Sequence, residues 1–201
     1  MGRRSVHTAE QLREVILDAS IGILQEQGLQ GLSAREIARR IDYSPGTLYN
    51  IFQNLDDIVL TIEGRMLDGL SATLDELPAE SDPRAQVRAL AHVYLGYSHA
   101  HPKLWNLLFE HHLPAGQDVP GWYKSKLDSL LARVENAVRP LLPNASDETV
   151  KRSARVLWAG VHGITSLSTA DKLVNVSTDS AGPLIDDLVG LYLSGLEAQY
   201  R

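Results

Sequence analysis

The chain contains 201 residues, of which 44% are hydrophobic and 22% are charged, and its net charge at pH 7 is −6. This length and composition are typical of a globular protein with a substantial core, and they exclude the disordered and fibrous classes. The sequence contains no cysteine, which excludes disulfides, thiolate zinc sites and cysteine nucleophiles.

Two further features predict a cytoplasmic protein that has no contact with a membrane. The N-terminal stretch MGRRSVHTAEQLREVILDAS is charged from Arg3 onward and lacks the apolar segment of a signal peptide. The longest uncharged run, 156–170, is too short and too polar to span a bilayer. Residues 1–55 carry six basic and six acidic side chains, so the rest of the chain holds the whole net charge. This asymmetry is a weak indication of an anionic partner.

The N-terminal quarter predicts three helices with well-marked ends. TAEQ at 8–11 fits a capping box, and Gly28 is a natural stop for the helix that follows it. SARE at 33–36 fits a second capping box at the start of a second helix. A third, very short helix opens with Ser44 as its N-cap and Pro45 at its first position, where the missing N–H costs nothing.

Beyond the third helix the pattern remains helical to the end of the chain. Asn54 is placed to cap a connecting helix of about 54–77, which ends at the Pro-rich and acidic boundary LPAESDP, 77–83. No segment of useful length alternates with the period of a strand, so the sequence predicts an all-α protein. Later helices are predicted at about 122–139, 147–172 and 183–199, preceded by the helical stretches RAQVRALAHVYLGYSHA and KLWNLLFEHHL.

The second and third helices have the spacing of a helix-turn-helix unit, whose second helix fits the major groove of DNA. Leu48, Ile51 and Phe52 supply the inward face of the third helix, which leaves Thr47 and Asn50 facing outward. Thr47 can donate to a phosphate, and Asn50 can pair with the edge of an adenine. The alternative is a well-capped pair of surface helices with no role in DNA binding.

Three small residues strengthen the DNA-binding interpretation. Gly46 lets the backbone approach a partner closely. Ser33 and Ser44 each open a helix, where exposed backbone N–H groups suit phosphate oxygens.

The segment 13–59, REVILDASIGILQEQGLQGLSAREIARRIDYSPGTLYNIFQNLDDIV, resembles the DNA-binding domain of the tetracycline-repressor (TetR) family. The shared features are EQG at the end of the first helix, LSAREIA, SPGTLY at the start of the third helix, and Phe52 ahead of NLDD. The resemblance implies that Arg35 reaches a base or a phosphate and that Tyr49 anchors the DNA backbone beside the groove. The DNA-binding residues implied in this way are Arg3, Arg4, Ser33, Arg35, Ser44, Gly46, Thr47, Tyr49 and Asn50, with Arg3 and Arg4 forming a basic arm.

Two residues depart from the family pattern. Ile51 stands where the family usually has His or Tyr, and it either packs inward or meets a thymine methyl group. Leu55 stands where a lysine commonly contacts a phosphate, so the electrostatic part of binding loses about one contact.

The resemblance also implies a division of the chain into two domains. Residues 1–57 form a three-helix helix-turn-helix domain, and residues 78–201 form a helical bundle for ligand binding and dimerisation. SHAHPKLWNLLF at 98–109 and WAGVHGI at 158–164 resemble the subgroup whose C-terminal domain carries a Trp-x-x-x-His-Gly signature.

Aromatic and histidine side chains in the second half are candidates for a ligand pocket. Trp158 and His162 lie four residues apart on one helix face, where they either line a pocket or pack as a core aromatic with a hydrogen-bonded histidine. Bundles usually hold small ligands in apolar pockets between helices. The predicted ligand-binding residues are Trp105, Phe109, Trp122, Trp158 and His162.

No catalytic, cofactor or metal site is predicted. No nucleophile with a base and an orienting group is recognisable, nor a phosphate-binding loop. Four histidines lie close in sequence, but none forms a pair with the spacing of metal ligands, so we expect them on a solvated rim. These are His99, His101, His111 and His112.

The last two predicted helices, about 147–172 and 183–199, carry apolar faces that suit a four-helix interface across a two-fold axis. Packing of the pair within one chain is the alternative. Together these features predict a homodimeric transcriptional regulator, most often a repressor in this family. It would bind double-stranded, palindromic operator DNA and be released by a small-molecule effector. The rival interpretations are an enzyme and a helical small-molecule-binding protein whose helix pair never meets DNA.

Overall fold

The computed structural model describes residues 7–200, and these residues form nine α-helices and no β-strand. The all-α prediction is confirmed. Within the same residues no helix combines the length and the apolar content that crossing a bilayer requires. The helices are α1 (Ala9–Gln27), α2 (Ala34–Ile41), α3 (Pro45–Leu48), α4 (Leu55–Asp75), α5 (Pro83–Ala100), α6 (Pro102–Glu110), α7 (Gly121–Val138), α8 (Asp147–Thr169) and α9 (Ala181–Gln199).

The chain folds as two compact units. The first contains the chain up to Met66 together with Lys103–Val119, and thus holds α1 to α3, the first half of α4 and most of α6. The second contains Leu67–Pro102 and the chain from Pro120 onward, with α5, α7, α8 and α9. The functional division into residues 1–57 and 78–201 stays a prediction.

Local capping interactions set the helix ends of the first unit. Thr8 Oγ1 accepts from the Gln11 N–H at 3.2 Å and Gln11 Oε1 accepts from the Thr8 N–H at 2.9 Å, which confirms the first capping box. Gly28 ends α1 with a φ of 70°, a conformation that favours glycine. Asn54 Oδ1 accepts from the Asp57 N–H at 2.8 Å, so the predicted cap of α4 is also confirmed.

The interior of the first unit is apolar. Leu48 of α3 and the following Phe52 are buried in it, which determines the side of α3 that faces inward. Arg13 reinforces this packing from α1: its guanidinium lies 4.3 Å from the centroid of the Phe52 ring and donates to Thr61 Oγ1 at 3.3 Å. The largest fully buried side chains of this unit in residues 7–66 are Ile16, Leu17, Ile23, Ile37, Leu48, Phe52, Ile58 and Ile62.

The second unit is built on the packing of α8 with α5, α7 and α9. Its core includes Leu90, Val138, Leu157, Val161, Ile185, Val189 and Leu193. Polar contacts also join its helices, since the Tyr192 hydroxyl donates to the Ser153 carbonyl at 3.0 Å and Arg84 Nε donates to Glu197 Oε1 at 3.0 Å. Helices α8 and α9 therefore form a firmly packed pair within one chain.

Candidate nucleic-acid interface

The turn between α2 and α3 occupies three residues. Asp42 adopts the left-handed conformation, with φ 56° and ψ 46°, and its N–H and that of Tyr43 both donate to the Ala38 carbonyl. Ser44 then takes an extended conformation, and α3 begins at Pro45 as predicted. The tight reversal is what makes α2 and α3 a helix-turn-helix unit.

His7, two residues ahead of α1, lies beside this turn. His7 Nδ1 is 2.8 Å from the Tyr43 hydroxyl, and the two rings are 6.0 Å apart between centroids. The predicted basic arm, Arg3 and Arg4, lies outside the described residues, so its role in DNA binding stays a prediction.

Helix α3 is short and presents its polar side outward, as the sequence predicts. Leu48 is fully buried, whereas Tyr49 is 53% exposed. Thr47 is half-buried, and its Oγ1 is 2.9 Å from Ser44 Oγ. Ser44 therefore does not cap the helix with its side chain, and its hydroxyl meets another hydroxyl instead. The predicted contacts of α3 that are exposed are Ser44, Gly46, Tyr49 and Asn50.

The start of α2 differs from its predicted form. Ser33 Oγ accepts from the Glu36 N–H at 3.2 Å, but Glu36 does not return a bond to the Ser33 backbone. Its carboxylate accepts instead from Arg39 at 2.8 and 2.7 Å and from Arg40 at 3.1 Å. The second capping box is thus only half formed, because the guanidinium groups of Arg39 and Arg40 occupy the carboxylate, and a bond in which both partners are charged is favoured over one from the neutral Ser33 N–H.

Ion pairs neutralise most of the basic side chains of this region. Hydrogen bonds from Arg39 first, and then from Arg40, lower the pKa of Glu36 to about 2. Arg40 also donates to Glu26 at 3.0 Å, and Arg65 to Glu14 at 2.6 Å.

Arg35 has no such partner. It is exposed on α2, and among the basic side chains of residues 7–66 it alone has neither a hydrogen bond nor an ion pair. Its charge is therefore available to a phosphate or a base, in line with its predicted role.

The two departures from the family pattern, Ile51 and Leu55, are both half-buried. The Ile51 N–H donates to the Leu48 carbonyl at 3.0 Å, so the helical turn of α3 continues to this residue.

The structure places the predicted ligand-binding residues in both units. Trp105 and Phe109 lie on α6 in the first unit, 5.9 Å apart between ring centroids, with Trp105 buried and Phe109 exposed. Trp122, at the start of α7 in the second unit, is exposed and meets the edge of Tyr123. Each of these aromatic side chains therefore has an aromatic neighbour in its own unit.

Trp158 and His162 form a polar aromatic cluster with Tyr94 in the second unit. The Trp158 and His162 rings are stacked at 5.4 Å, and the Tyr94 hydroxyl is 3.1 Å from His162 Nδ1. Burial lowers the pKa of His162 and raises that of Tyr94, so both side chains are neutral at pH 7. Trp158 also bonds the Tyr94 oxygen, and an indole can only donate. The Tyr94 oxygen therefore accepts from Trp158, and the same hydroxyl shares a second hydrogen bond with His162 Nδ1.

One histidine differs from the sequence prediction of a solvated rim. His99, His101 and His112 are exposed, but the His111 side chain is only 6% exposed and contacts two carboxylates. The prediction is wrong for His111. No group of side chains that could hold a metal ion occurs among residues 7–200.

The sequence of this protein matches two family models. Residues 16–62 match the model described as bacterial regulatory proteins of the tetR family, and residues 87–191 match a tetracyclin repressor-like C-terminal domain. The second match alone covers just over half of the chain. The chain belongs to the TetR family.

Relatives of this TetR-family protein agree in fold and in class. An uncharacterized HTH-type transcriptional regulator of Mycobacterium tuberculosis, Rv0681, is 23% identical over 94% of the chain and 83% of its own length. Two solved structures share the fold. A Rhodococcus sp. RHA1 protein of unknown function has a TM-score of 0.69, 22% identity and 99% coverage of both chains. The TetR regulator SCO7222 of Streptomyces coelicolor has a TM-score of 0.67 and 18% identity, with 94% of this chain and 99% of its own covered.

The TetR family consists of DNA-binding transcriptional regulators rather than enzymes, and its members typically form homodimers and bind small molecules. The helix-turn-helix unit of this TetR-family chain is thus its DNA-binding element. The membership of the Trp-x-x-x-His-Gly subgroup stays a prediction.

Arg35 and Arg39, both exposed on α2, provide a matched test of which charges reach DNA. We expect Arg35→Gln to weaken DNA binding and to reduce the slope of log affinity against log salt by about one, because one phosphate contact is lost. Arg39→Gln should have a smaller effect, since Glu36 already neutralises Arg39. Equal effects of the two substitutions, measured by fluorescence anisotropy at several salt concentrations, would contradict this assignment.

Proposed function

We propose that this protein is a homodimeric repressor that acts in the cytoplasm on a palindromic operator. Residues 1–57 would form the DNA-binding domain, and residues 78–201 the ligand-binding and dimerisation domain. A small molecule bound in the C-terminal domain would favour a conformation that no longer matches the operator, which requires different affinities for the two conformations.

The observation that best supports operator binding by α3 is the glycine at its exposed tip. A Cβ atom added to Gly46 would meet nothing closer than Ser44 Oγ at 3.9 Å, an ordinary contact, and the backbone there is not left-handed. The fold therefore does not require glycine, and alanine would stabilise the helix. A close approach to the floor or wall of a DNA groove explains why the position carries no side chain.

The remaining side chains of the interface divide by their chemistry. Thr47 and Tyr49 carry hydroxyl groups that suit phosphates, and Asn50 carries the amide that pairs with adenine. Ser33 at the start of α2 and Arg35, two residues further along, would bind phosphates of the DNA backbone. Every one of these groups is uncharged or basic, so the surface can approach an anionic polymer despite the net charge of the chain.

Gly46→Ala separates binding from stability. We expect this variant to have an unchanged or higher melting temperature. Its affinity for a DNA fragment from the promoter of its own gene should be at least about tenfold lower than that of wild type. Gly96→Ala on α5 is the control, because a Cβ added there would meet nothing within 4 Å and the residue lies outside the helix-turn-helix unit. Retention of the fragment by Gly46→Ala with wild-type affinity would contradict the proposed role of α3.

The outer face of α8 and α9 supports a homodimer. Gly160 packs against Leu188 within the chain, since an added Cβ would lie 2.8 Å from Leu188 Cδ2. The other side of the pair stays uncovered: Val156 is 53% exposed and Leu191 is 76% exposed. Ala159 and Gly163 are exposed on the same helices and are small enough for a close helix contact. A second copy of the pair would bury this apolar surface and form a four-helix interface.

A charge on this face tests the dimer. We expect Leu191→Glu to convert the dimer to a monomer in sedimentation velocity, because the interface would bury an unpaired charge. Operator affinity should fall as well, because a single helix-turn-helix unit contacts only half of a palindromic operator. The monomer itself should remain folded, since Leu191 makes little contact within the chain. Leu127→Glu, at an exposed leucine on α7, is the control and should stay dimeric. A dimeric Leu191→Glu would refute the proposed interface.

The Tyr94, Trp158 and His162 cluster is the proposed effector site. It combines a stacked aromatic surface with neutral hydrogen-bonding groups inside the second unit, which is the composition of small-molecule sites in helical bundles. Because two consecutive hydrogen bonds link Trp158, Tyr94 and His162, a ligand that replaces one of them disturbs the other.

Ligand-dependent stabilisation tests this site. A compound library is screened by thermal shift, since binding to the native state must stabilise it. We expect His162→Gln to lose most of the shift that the best compound gives with wild type. His92→Gln, at an exposed histidine paired with Asp186 on the surface of the same unit, should keep it. A full shift with His162→Gln would exclude His162 from the effector site.

A further inference from the structure

Helix α6 is fastened at both ends to elements of the first unit. Near its start, Lys103 Nζ donates to the carbonyl of Gln25 in the last turn of α1. Immediately after its end, the His111 ring lies between two carboxylates of α4: Nδ1 is 2.9 Å from Glu63 Oε1, and Nε2 is 3.2 Å from Asp56 Oδ1. The second attachment is the unusual one, because it is buried and titratable.

The geometry around His111 requires a particular protonation state. A neutral imidazole carries one N–H, so one of its nitrogens would direct a lone pair at a carboxylate oxygen. Two carboxylates are satisfied only by the doubly protonated imidazolium. The Glu63 side chain is 3% exposed, and a carboxylate buried to this extent needs a cation beside it. His111 supplies that cation.

Only carboxylates act on this imidazolium among the described residues. Glu63 and Asp56, both on α4, are the charged groups that face it, and no basic group does. The hydrogen bond to Glu63 is the largest influence and raises the pKa of His111, burial opposes it, and the bond to Asp56 raises it further. The stabilisation is therefore complete below the ordinary histidine pKa of about 6.5 and is lost as the pH rises through the raised value.

The carboxylates that hold His111 lie close to the DNA-reading helix. Asp56 is in the first turn of α4, and Glu63 is two turns further along. The turn that starts α4 is separated from Phe52, the buried end of the helix-turn-helix unit, by Gln53 and Asn54 only. A change at Asp56 therefore acts directly beside α3.

We propose that His111 is a positioning residue for DNA binding, and that its imidazolium clamps the end of α6 to the first half of α4 so that operator affinity falls when the proton is lost. The inference rests on DNA binding by α3 but adds a response to pH between neutral and mildly alkaline values. His111 touches no DNA itself, and it acts through Asp56 and Glu63.

The test compares pH profiles of DNA affinity at constant ionic strength, with a promoter fragment of the protein's own gene. One linked proton changes affinity by at most tenfold per pH unit, and we expect wild type to lose about threefold to tenfold between pH 6.5 and 8.5. The double variant His111→Gln/Glu63→Gln replaces the ion pair by a neutral hydrogen-bonded pair of similar size, so it should fold and show a flat profile of affinity against pH.

His112→Gln is the control, since that exposed neighbour bonds only the Glu110 carbonyl. Its profile should match wild type.

A second measurement needs no DNA. We expect hydrogen-exchange protection of residues 103–119 in the free wild-type protein to fall over the same pH range, and to be independent of pH in the double variant. Parallel affinity profiles of wild type and the double variant, or pH-independent protection of 103–119 in wild type, would overturn the proposal. A protein that retains no fragment at any pH would contradict the proposed function instead, and the exchange result alone would then decide whether His111 clamps α6.

Discussion

Burial of Leu48 and Phe52 orients α3, the helix that we propose contacts DNA, and the rest of the proposed DNA-binding surface depends on it. A helix of four residues has no stability of its own, because nucleation costs more than so few hydrogen bonds return. Its orientation is set by these two side chains, which pack in the first unit, with the Arg13 guanidinium 4.3 Å from the Phe52 ring. Once they are buried, the exposure of Gly46, Tyr49 and Asn50 follows from the helical period.

Electrostatics then selects which groups of this surface remain available. The acidic side chains of the first unit bind several of its basic ones: Glu36 holds Arg39 and Arg40, and Glu14 holds Arg65. Net charge is therefore a poor guide to DNA binding in this protein. The proposed contacts depend instead on the local availability of one guanidinium, that of Arg35, together with neutral donors on α3.

The elements that could be predicted from the sequence depend on interactions between near neighbours. The capping of α1 by Thr8 and of α4 by Asn54 requires only residues three apart, and the face of α3 follows from its period. The predicted capping box at the start of α2 failed because several donors compete for one carboxylate. Glu36 accepts from Arg39 and Arg40 instead of the Ser33 backbone, and a sequence motif does not show which donor is preferred. His111 meets Glu63 across 48 positions of the chain, so only the fold reveals its buried ion pair.

We propose that a two-fold pair of α3 helices reads operator DNA. Hydroxyl-radical footprinting of the purified protein on the DNA upstream of its own gene tests it most directly. We expect two protected half-sites of related, inverted sequence on one face of the duplex, with their centres separated by a whole number of helical turns of about 34–36 Å each. Uniform protection without half-sites, or no protection at low salt, would contradict it.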